Sequence, residues 1–235
     1  MMGKEEDLVG GIPLKDGVET NPAICANTDK NNRDWKGKKM NRAVFLDRDG
    51  VVNELRYHPD LKIKCAPFTA SKFKMINGVP EAINLIHRFG YLCILISNQP
   101  DIGLGMMTVE DFEEIKLKMK TELAKAGAYM DGEYYCMHHP AAMIEEYKSN
   151  CDCRKPKPGL LLRASGEHNI DMANSWFIGD YLTDVAAGKN ADCHTILISK
   201  RKPEIHDSAG EDDVKPDIIC SDLTEAVQYI LKAGE

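Results

Sequence analysis

From residue 41 onward the chain alternates short apolar runs with stretches of helical period, and few folds accept that alternation. The runs at 42–46, 91–96, 133–136, 175–178 and 195–198 read as strands buried within a sheet, and 217–220 offers a sixth. Between them, Val79, Ala82, Ile83 and Ile86 fall on one helical face, with Gly90 placed as a C-cap. Phe112, Ile115, Met119 and Leu123 do the same ahead of Gly127, giving a helix over 111–126. Pro158 can open a helix through Leu160, Leu161 and Leu162, and further helices are predicted over 183–189 and 222–232. Strands alternating with helices need crossover connections, which give a doubly wound, mostly parallel, Rossmann-like sheet. The expected class is α/β.

Residues 1–40 show neither period. Rich in Asn, Asp, Lys and Gly, they predict a disordered N-terminal extension ahead of a domain spanning 41–235. Lys36-Gly37-Lys38-Lys39-Met40 can also be encoded by a purine-rich ribosome-binding site and a start codon. For a bacterial source, Met40 is therefore the expected initiator, and peptides from residues 1–39 in the native protein would exclude that. Residues 200–216, charged and proline-containing, are expected to form a loop.

Composition removes several function classes. Hydrophobic residues at 43% and charged residues at 29% are the balance of a soluble globular protein. A net charge of −7 disfavours non-specific nucleic-acid binding, so no nucleic acid is expected as partner. No apolar run approaches the ~20 residues needed to cross a membrane. The start, Met1-Met2-Gly3-Lys4-Glu5-Glu6-Asp7, lacks the apolar stretch of a signal peptide. A cytoplasmic monomer with no membrane partner is the expectation.

Active sites of doubly wound sheets gather at the carboxyl ends of strands. Asp47 and Asp49 follow the first run, Ser97 and Asn98 the second, and Asp180 and Asp184 the fourth. Two carboxylates one residue apart, after a buried strand and before Gly50, suit phosphoryl transfer. The first can attack phosphorus while Mg²⁺ neutralises charge, and the second can give a proton to the leaving oxygen. Alone, Asp47-x-Asp49-Gly50 also reads as a loop, and Asp180 with Asp184 as an N-cap and first-turn acid. Their joint occurrence at successive strand ends favours a site.

Of the eight cysteines, Cys25, Cys65, Cys93, Cys193 and Cys220 are scattered, as small core residues are. Cys136-x-His138 and Cys151-x-Cys153 instead offer three thiolates and one imidazole, the closed tetrahedral set of structural Zn²⁺. Reduced core cysteines are the alternative. His138 is the expected ligand and His139 the alternate. Such a clip would order a long loop and fix Arg154 and Lys155 at the pocket rim. Arg154 is the candidate for a substrate phosphate or hydroxyl, while Lys157 is expected in solvent.

In order, Leu46-Asp47-Arg48-Asp49-Gly50, Ile96-Ser97-Asn98-Gln99, Arg154-Lys155-Pro156 and Gly179-Asp180-Tyr181-Leu182-Thr183-Asp184 resemble the motifs of the haloacid-dehalogenase superfamily. The resemblance runs from about residue 41 to 199. Within the superfamily the chain most resembles the heptose-bisphosphate phosphatase and histidinol-phosphatase family. That resemblance implies Asp47 as a nucleophile forming an aspartyl-phosphate, and Asp49 as general acid and then base. It implies that Ser97 and Lys155 hold the phosphoryl oxygens, with Asn98 beside them. Asp47, the backbone carbonyl of Asp49, and Asp180 would bind Mg²⁺. Cys136, His138, Cys151 and Cys153 would bind Zn²⁺ and pin a loop beside the site.

The intervals between motifs hold no separate cap domain, so loops 54–77 and 137–155 would recognise the substrate; the resemblance implies Leu55–His58 near it, while Tyr57 and His58 read equally as ordinary loop residues. The implied partner is a small phosphorylated metabolite of carbohydrate metabolism. D-glycero-D-manno-heptose 1,7-bisphosphate losing its 7-phosphate is favoured; histidinol phosphate or another sugar phosphate is the alternative. A rival of another class is a zinc-stapled binding module whose carboxylates are only structural. The sequence departs from the family at Val51, where Thr is frequent, at Leu104, where Arg is common, and at Tyr181, where Lys is frequent. The last two changes remove positive charge from the pocket.

Overall fold

The computed structural model describes residues 39–199 and 214–233, so the expectations for residues 1–38 and for most of the 200–216 loop lie outside the described residues. The strands are β1 (Arg42–Leu46), β2 (Arg56–His58), β3 (Ile63–Cys65), β4 (Tyr91–Asn98), β5 (Gly132–Cys136), β6 (Trp176–Gly179), β7 (His194–Ile198) and β8 (Ile218–Cys220). The α-helices are α1 (Val79–Arg88), α2 (Val109–Lys125), α3 (Gly159–His168), α4 (Leu182–Asn190) and α5 (Leu223–Ala233).

Six strands form one sheet in the order β5-β4-β1-β6-β7-β8, and every neighbouring pair is parallel. The chain builds outward from β1 through β4 to β5, then returns to the other side of β1 for β6. The order therefore reverses at β1, and ligands of such sheets bind at that crevice. Leu46 is in register with both Leu95 and Ile178, which lines up the carboxyl ends of β1, β4 and β6.

Alternation along β1 divides the core. Val44 and Leu46 pack on one face with the apolar stripes of α1, α2 and α5, while Ala43 and Phe45 pack on the other against α3 and α4. Covering both faces is what makes these strands read as continuous apolar runs.

Three elements differ from the sequence expectation. α2 starts earlier because Thr108 caps it: Asp111 N donates to Thr108 Oγ1 (3.0 Å) and Thr108 N to the Asp111 carboxylate (3.1 Å). β4 extends through Ser97 and Asn98, which pair with Tyr135 and Cys136 of β5. The expected loop at 54–77 contains the antiparallel hairpin β2–β3, whose residues are exposed or half-buried and carry no apolar alternation. Among the described residues, this hairpin and α1 are the only regular elements between β1 and β4 besides short 3₁₀ turns, which leaves no separate cap in that interval. Among the described residues, no helix is long and apolar enough to cross a membrane.

Candidate active site

β1 delivers Asp47, Arg48 and Asp49 into a turn closed by Gly50 at φ +87°. Val52 N and Asn53 N donate to Arg48 O at 2.8 and 3.0 Å, and Gly50 N donates to Asn53 O at 2.8 Å. A Cβ on residue 50 would overlap the Asp180 carboxylate, so only glycine lets this turn press against the acid that follows β6. Gly179 does the same for Asp184, whose side chain occupies the space a Cβ would need. The two glycines thus permit an acid cluster. One oxygen each from Asp47, Asp180 and Asp184 lies within 4.8 Å of the others.

Lys155 enters this cluster from the loop before α3. Its Nζ meets Asp47 Oδ1 at 2.8 Å and Asp184 Oδ1 at 2.6 Å, and donates to Ile96 O at 3.2 Å. The residue is only 4% exposed. Burial works against the ammonium charge, but the Asp184 and Asp47 carboxylates outweigh it and hold Lys155 above its ordinary value. Asn98 aims the lysine: Lys155 N donates to Asn98 Oδ1 (3.1 Å) and Asn98 Nδ2 donates to Lys155 O (3.2 Å). Asn98, expected beside the substrate, has both ends of its amide engaged by the Lys155 backbone.

One cation does not neutralise three acids. Burial, with Lys155 opposing and Asp184 and Asp49 adding to it, pushes Asp47 up to about 6. Burial and the charges of Asp47 and Asp184 push Asp180 up to about 8. Asp180 Oδ1 is buried with no hydrogen-bond partner among the described residues. Crowded, buried carboxylate oxygens with one left unpaired suit a hard divalent cation with oxygen ligands, and Mg²⁺ fits that donor set. Asp184, read from the sequence only as a strand-end acid, joins the cluster as the partner of Lys155. The Asp49 side chain lies outside it.

Asp49 is held by N–H groups alone. Arg48 Nε and Nη2 donate to its two oxygens at 3.1 and 3.2 Å, Asn53 Nδ2 at 2.9 Å and Gln99 Nε2 at 2.6 Å. Arg48 is fully buried and also donates to Gln99 Oε1 at 2.7 Å. Gln99 Nε2 donates further to Ser97 Oγ at 2.9 Å, tying the first acid pair to the end of β4. Sequence reasoning missed Arg48, Asn53 and Gln99. Gln99 left a trace, since it lies two residues beyond Ser97 and so shares its face.

The Cys/His set converges next to β5. Cys136 Sγ is 3.5 Å from Cys151 Sγ and 3.3 Å from Cys153 Sγ, and Cys151 and Cys153 are 3.0 Å apart. His138 Nδ1 lies 3.3 Å from Cys153 Sγ. Four donors sharing one ion at bonds of roughly 2.0–2.3 Å must approach one another about this closely, so the set could hold Zn²⁺. His139, the alternate, turns its Nδ1 to the Ala141 N–H at 3.1 Å instead. The loop leans on the turn after β4 through Met143 N and Ile144 N, which donate to Gly103 O at 2.8 and 3.1 Å. His138 O accepts from Arg154 Nη1 at 3.3 Å, so the clip also positions Arg154. Lys157 faces solvent beside Asp152 and Asn150.

The hairpin separates the two residues expected near the substrate. Tyr57 points outward, 59% exposed, whereas His58 stacks on Phe68 with ring centroids 4.0 Å apart and donates from Nε2 to Ala66 O at 2.9 Å. His58 and Arg154 both lie close enough to influence the charge of Asp101, in the turn after β4. The Cys/His loop thus touches the turn after β4, and groups of both hairpin and loop act on the charge carried by that turn.

The family model described as HAD-hydrolase-like matches residues 152–226. D-glycero-beta-D-manno-heptose-1,7-bisphosphate 7-phosphatase of Photorhabdus laumondii is 42% identical over 163 residues, 68% of this chain and 82% of that protein. The protein of the same name from Vibrio cholerae is 38% identical over 192 residues, 81% of this chain and 96% of that protein. Among solved structures, D,D-heptose 1,7-bisphosphate phosphatase from B. bronchiseptica, complexed with magnesium and phosphate, superposes with a TM-score of 0.64 at 24% identity. That match covers 82% of this chain and 99% of the solved chain, and it shows the shared fold.

Proposed function

The chain belongs to the haloacid-dehalogenase-like phosphatases, and from that premise we propose that it removes the 7-phosphate of D-glycero-D-manno-heptose 1,7-bisphosphate. The observation that carries the chemistry is Lys155, buried between Asp47 and Asp184 beside the unpaired oxygen of Asp180. A binding module with structural carboxylates would have no use for three crowded acids whose charges one lysine leaves uncompensated. The substrate rests on the names of the relatives.

In this reading an Asp47 oxygen attacks phosphorus, the bond to the ester oxygen breaks, and an aspartyl-phosphate forms on Asp47. Asp49 gives the departing oxygen its proton, then takes one from the water that releases phosphate from Asp47. Four N–H groups around Asp49 complement its carboxylate, so its acid role needs the carboxyl to exchange one donor for the ester oxygen. Lys155 and Ser97 hold phosphoryl oxygens, and Arg154 and His58 face the remainder of the substrate. Mg²⁺, held by Asp47, Asp180 and the Asp49 carbonyl, would supply positive charge to the transferring group. Zn²⁺ at Cys136, His138, Cys151 and Cys153 would be structural. All these groups come from one chain, so the site requires no second copy.

The test is a phosphate-release screen with Mg²⁺ over heptose bisphosphate, histidinol phosphate and common sugar phosphates. The expected result is a clear preference for the heptose bisphosphate. Equal, weak release from all of them would defeat the substrate assignment.

A further inference from the structure

The turn after β4 carries a carboxylate that no step above uses. Asp101 is 9% exposed, and its backbone is fixed by Met106 N donating to Asp101 O at 2.8 Å and Leu104 N to Pro100 O at 2.9 Å. The charges around it belong to Asp49, Arg48, His58 and Arg154, all groups of the site. The two guanidinium groups and the imidazole are each bonded elsewhere. Arg48 serves Asp49 and Gln99, His58 serves Ala66 O, and Arg154 serves His138 O. Among the described residues, the Asp101 carboxylate makes no hydrogen bond or ion pair.

Its oxygens are not fully buried, so the carboxylate stays open to water and can exchange that water for a ligand's donor. The departing oxygen of a phosphomonoester must lie at Asp49, and Gln99, which donates to Asp49 at 2.6 Å, stands two residues before Asp101 in the same segment. Resting on the phosphatase reading, we propose that Asp101 is a specificity-determining residue that accepts a hydrogen bond from a hydroxyl of the leaving group. The site would then select phosphomonoesters of polyols over esters with no donor there. The same charge opposes a second phosphate close to the first, while leaving room for one at the far end of a sugar. Burial and Asp49 push Asp101 up to about 6, so above that pH it offers an ionised acceptor.

The experiment compares kcat/KM for glycerol 3-phosphate and phenyl phosphate in the full chain with Mg²⁺, for wild type, Asp101→Ala and Asp101→Asn. The expected result is a fall in the polyol-to-aryl ratio on the order of tenfold for the alanine variant. A smaller fall is expected for the asparagine variant, which keeps an acceptor oxygen without its charge. Because asparagine is nearly isosteric, it carries the test if the alanine variant does not fold. An unchanged ratio, whether both activities persist or both drop together, would overturn the inference. Wild-type protein that releases phosphate from neither ester would instead overturn the phosphatase reading.

Discussion

Lys155 Nζ meets Asp47 Oδ1 at 2.8 Å inside the protein, with 3% of the lysine side chain exposed. The cation proposed to hold a phosphoryl oxygen is thus paired with the proposed nucleophile before any substrate arrives. Replacing it with Met keeps length and apolar volume but strands Asp47 and Asp184. Breaking a buried pair from one side costs about 3–5 kcal/mol. Lys155→Met should lower urea-denaturation stability by that order and reduce phosphate release at least ~100-fold. Wild-type stability would show that the pair is not buried as described.

The acid cluster predicts a pH dependence of stability in metal-free protein. Asp47 at about 6 and Asp180 at about 8 both stand above their ordinary 3.8. The native state therefore binds more protons than the unfolded chain across that interval, and stability falls as pH rises through the folded values. Tm of metal-free protein should drop between about pH 6 and 8.5, and saturating Mg²⁺ should raise Tm more at pH 8 than at pH 6. A metal-free Tm that climbs over this window would contradict the cluster.

If the Cys/His set holds the proposed Zn²⁺, its loss should act on the candidate site through Arg154. His138 supplies both a candidate ligand atom and the carbonyl that receives Arg154 Nη1. Cys151→Ser should yield protein lacking stoichiometric zinc by elemental analysis, with a lower Tm and a raised KM. Stoichiometric zinc in the variant, or an unchanged KM without zinc, would exclude this coupling.

Gln99 joins Asp49 to Ser97 and Arg48. Gln99→Leu removes a donor from Asp49 and leaves Arg48 Nη2 without its amide acceptor. kcat should fall ~10–100-fold, the range of a misplaced acid–base group, with KM changed little. A rise in KM at constant kcat would assign Gln99 to substrate binding instead.

Much of the site was legible because a parallel sheet converts chain order into geometry. Asp47, Ser97 and Asp180 follow buried runs, so their proximity follows from strand order once β1 is central. The Cys/His set was legible through ligand spacing. The partners of Asp49 were not, because a buried charge such as Arg48 is satisfied by Gln99 just beyond the end of β4, which no local period records. The hairpin β2–β3 escaped for a related reason: it buries no continuous face, so it carries no apolar alternation. Tyr57 and His58 then took opposite directions because neighbours on a strand must.

In the proposed mechanism the phosphoryl group passes through Asp47. Acid quenching during turnover with Mg²⁺, followed by peptide mapping, tests it directly. A phosphoryl group on the Asp47 peptide of wild type, absent in Asp47→Asn together with turnover, is the predicted result. Wild-type phosphate release by Asp47→Asn, or a phosphoryl group on another residue, would contradict it.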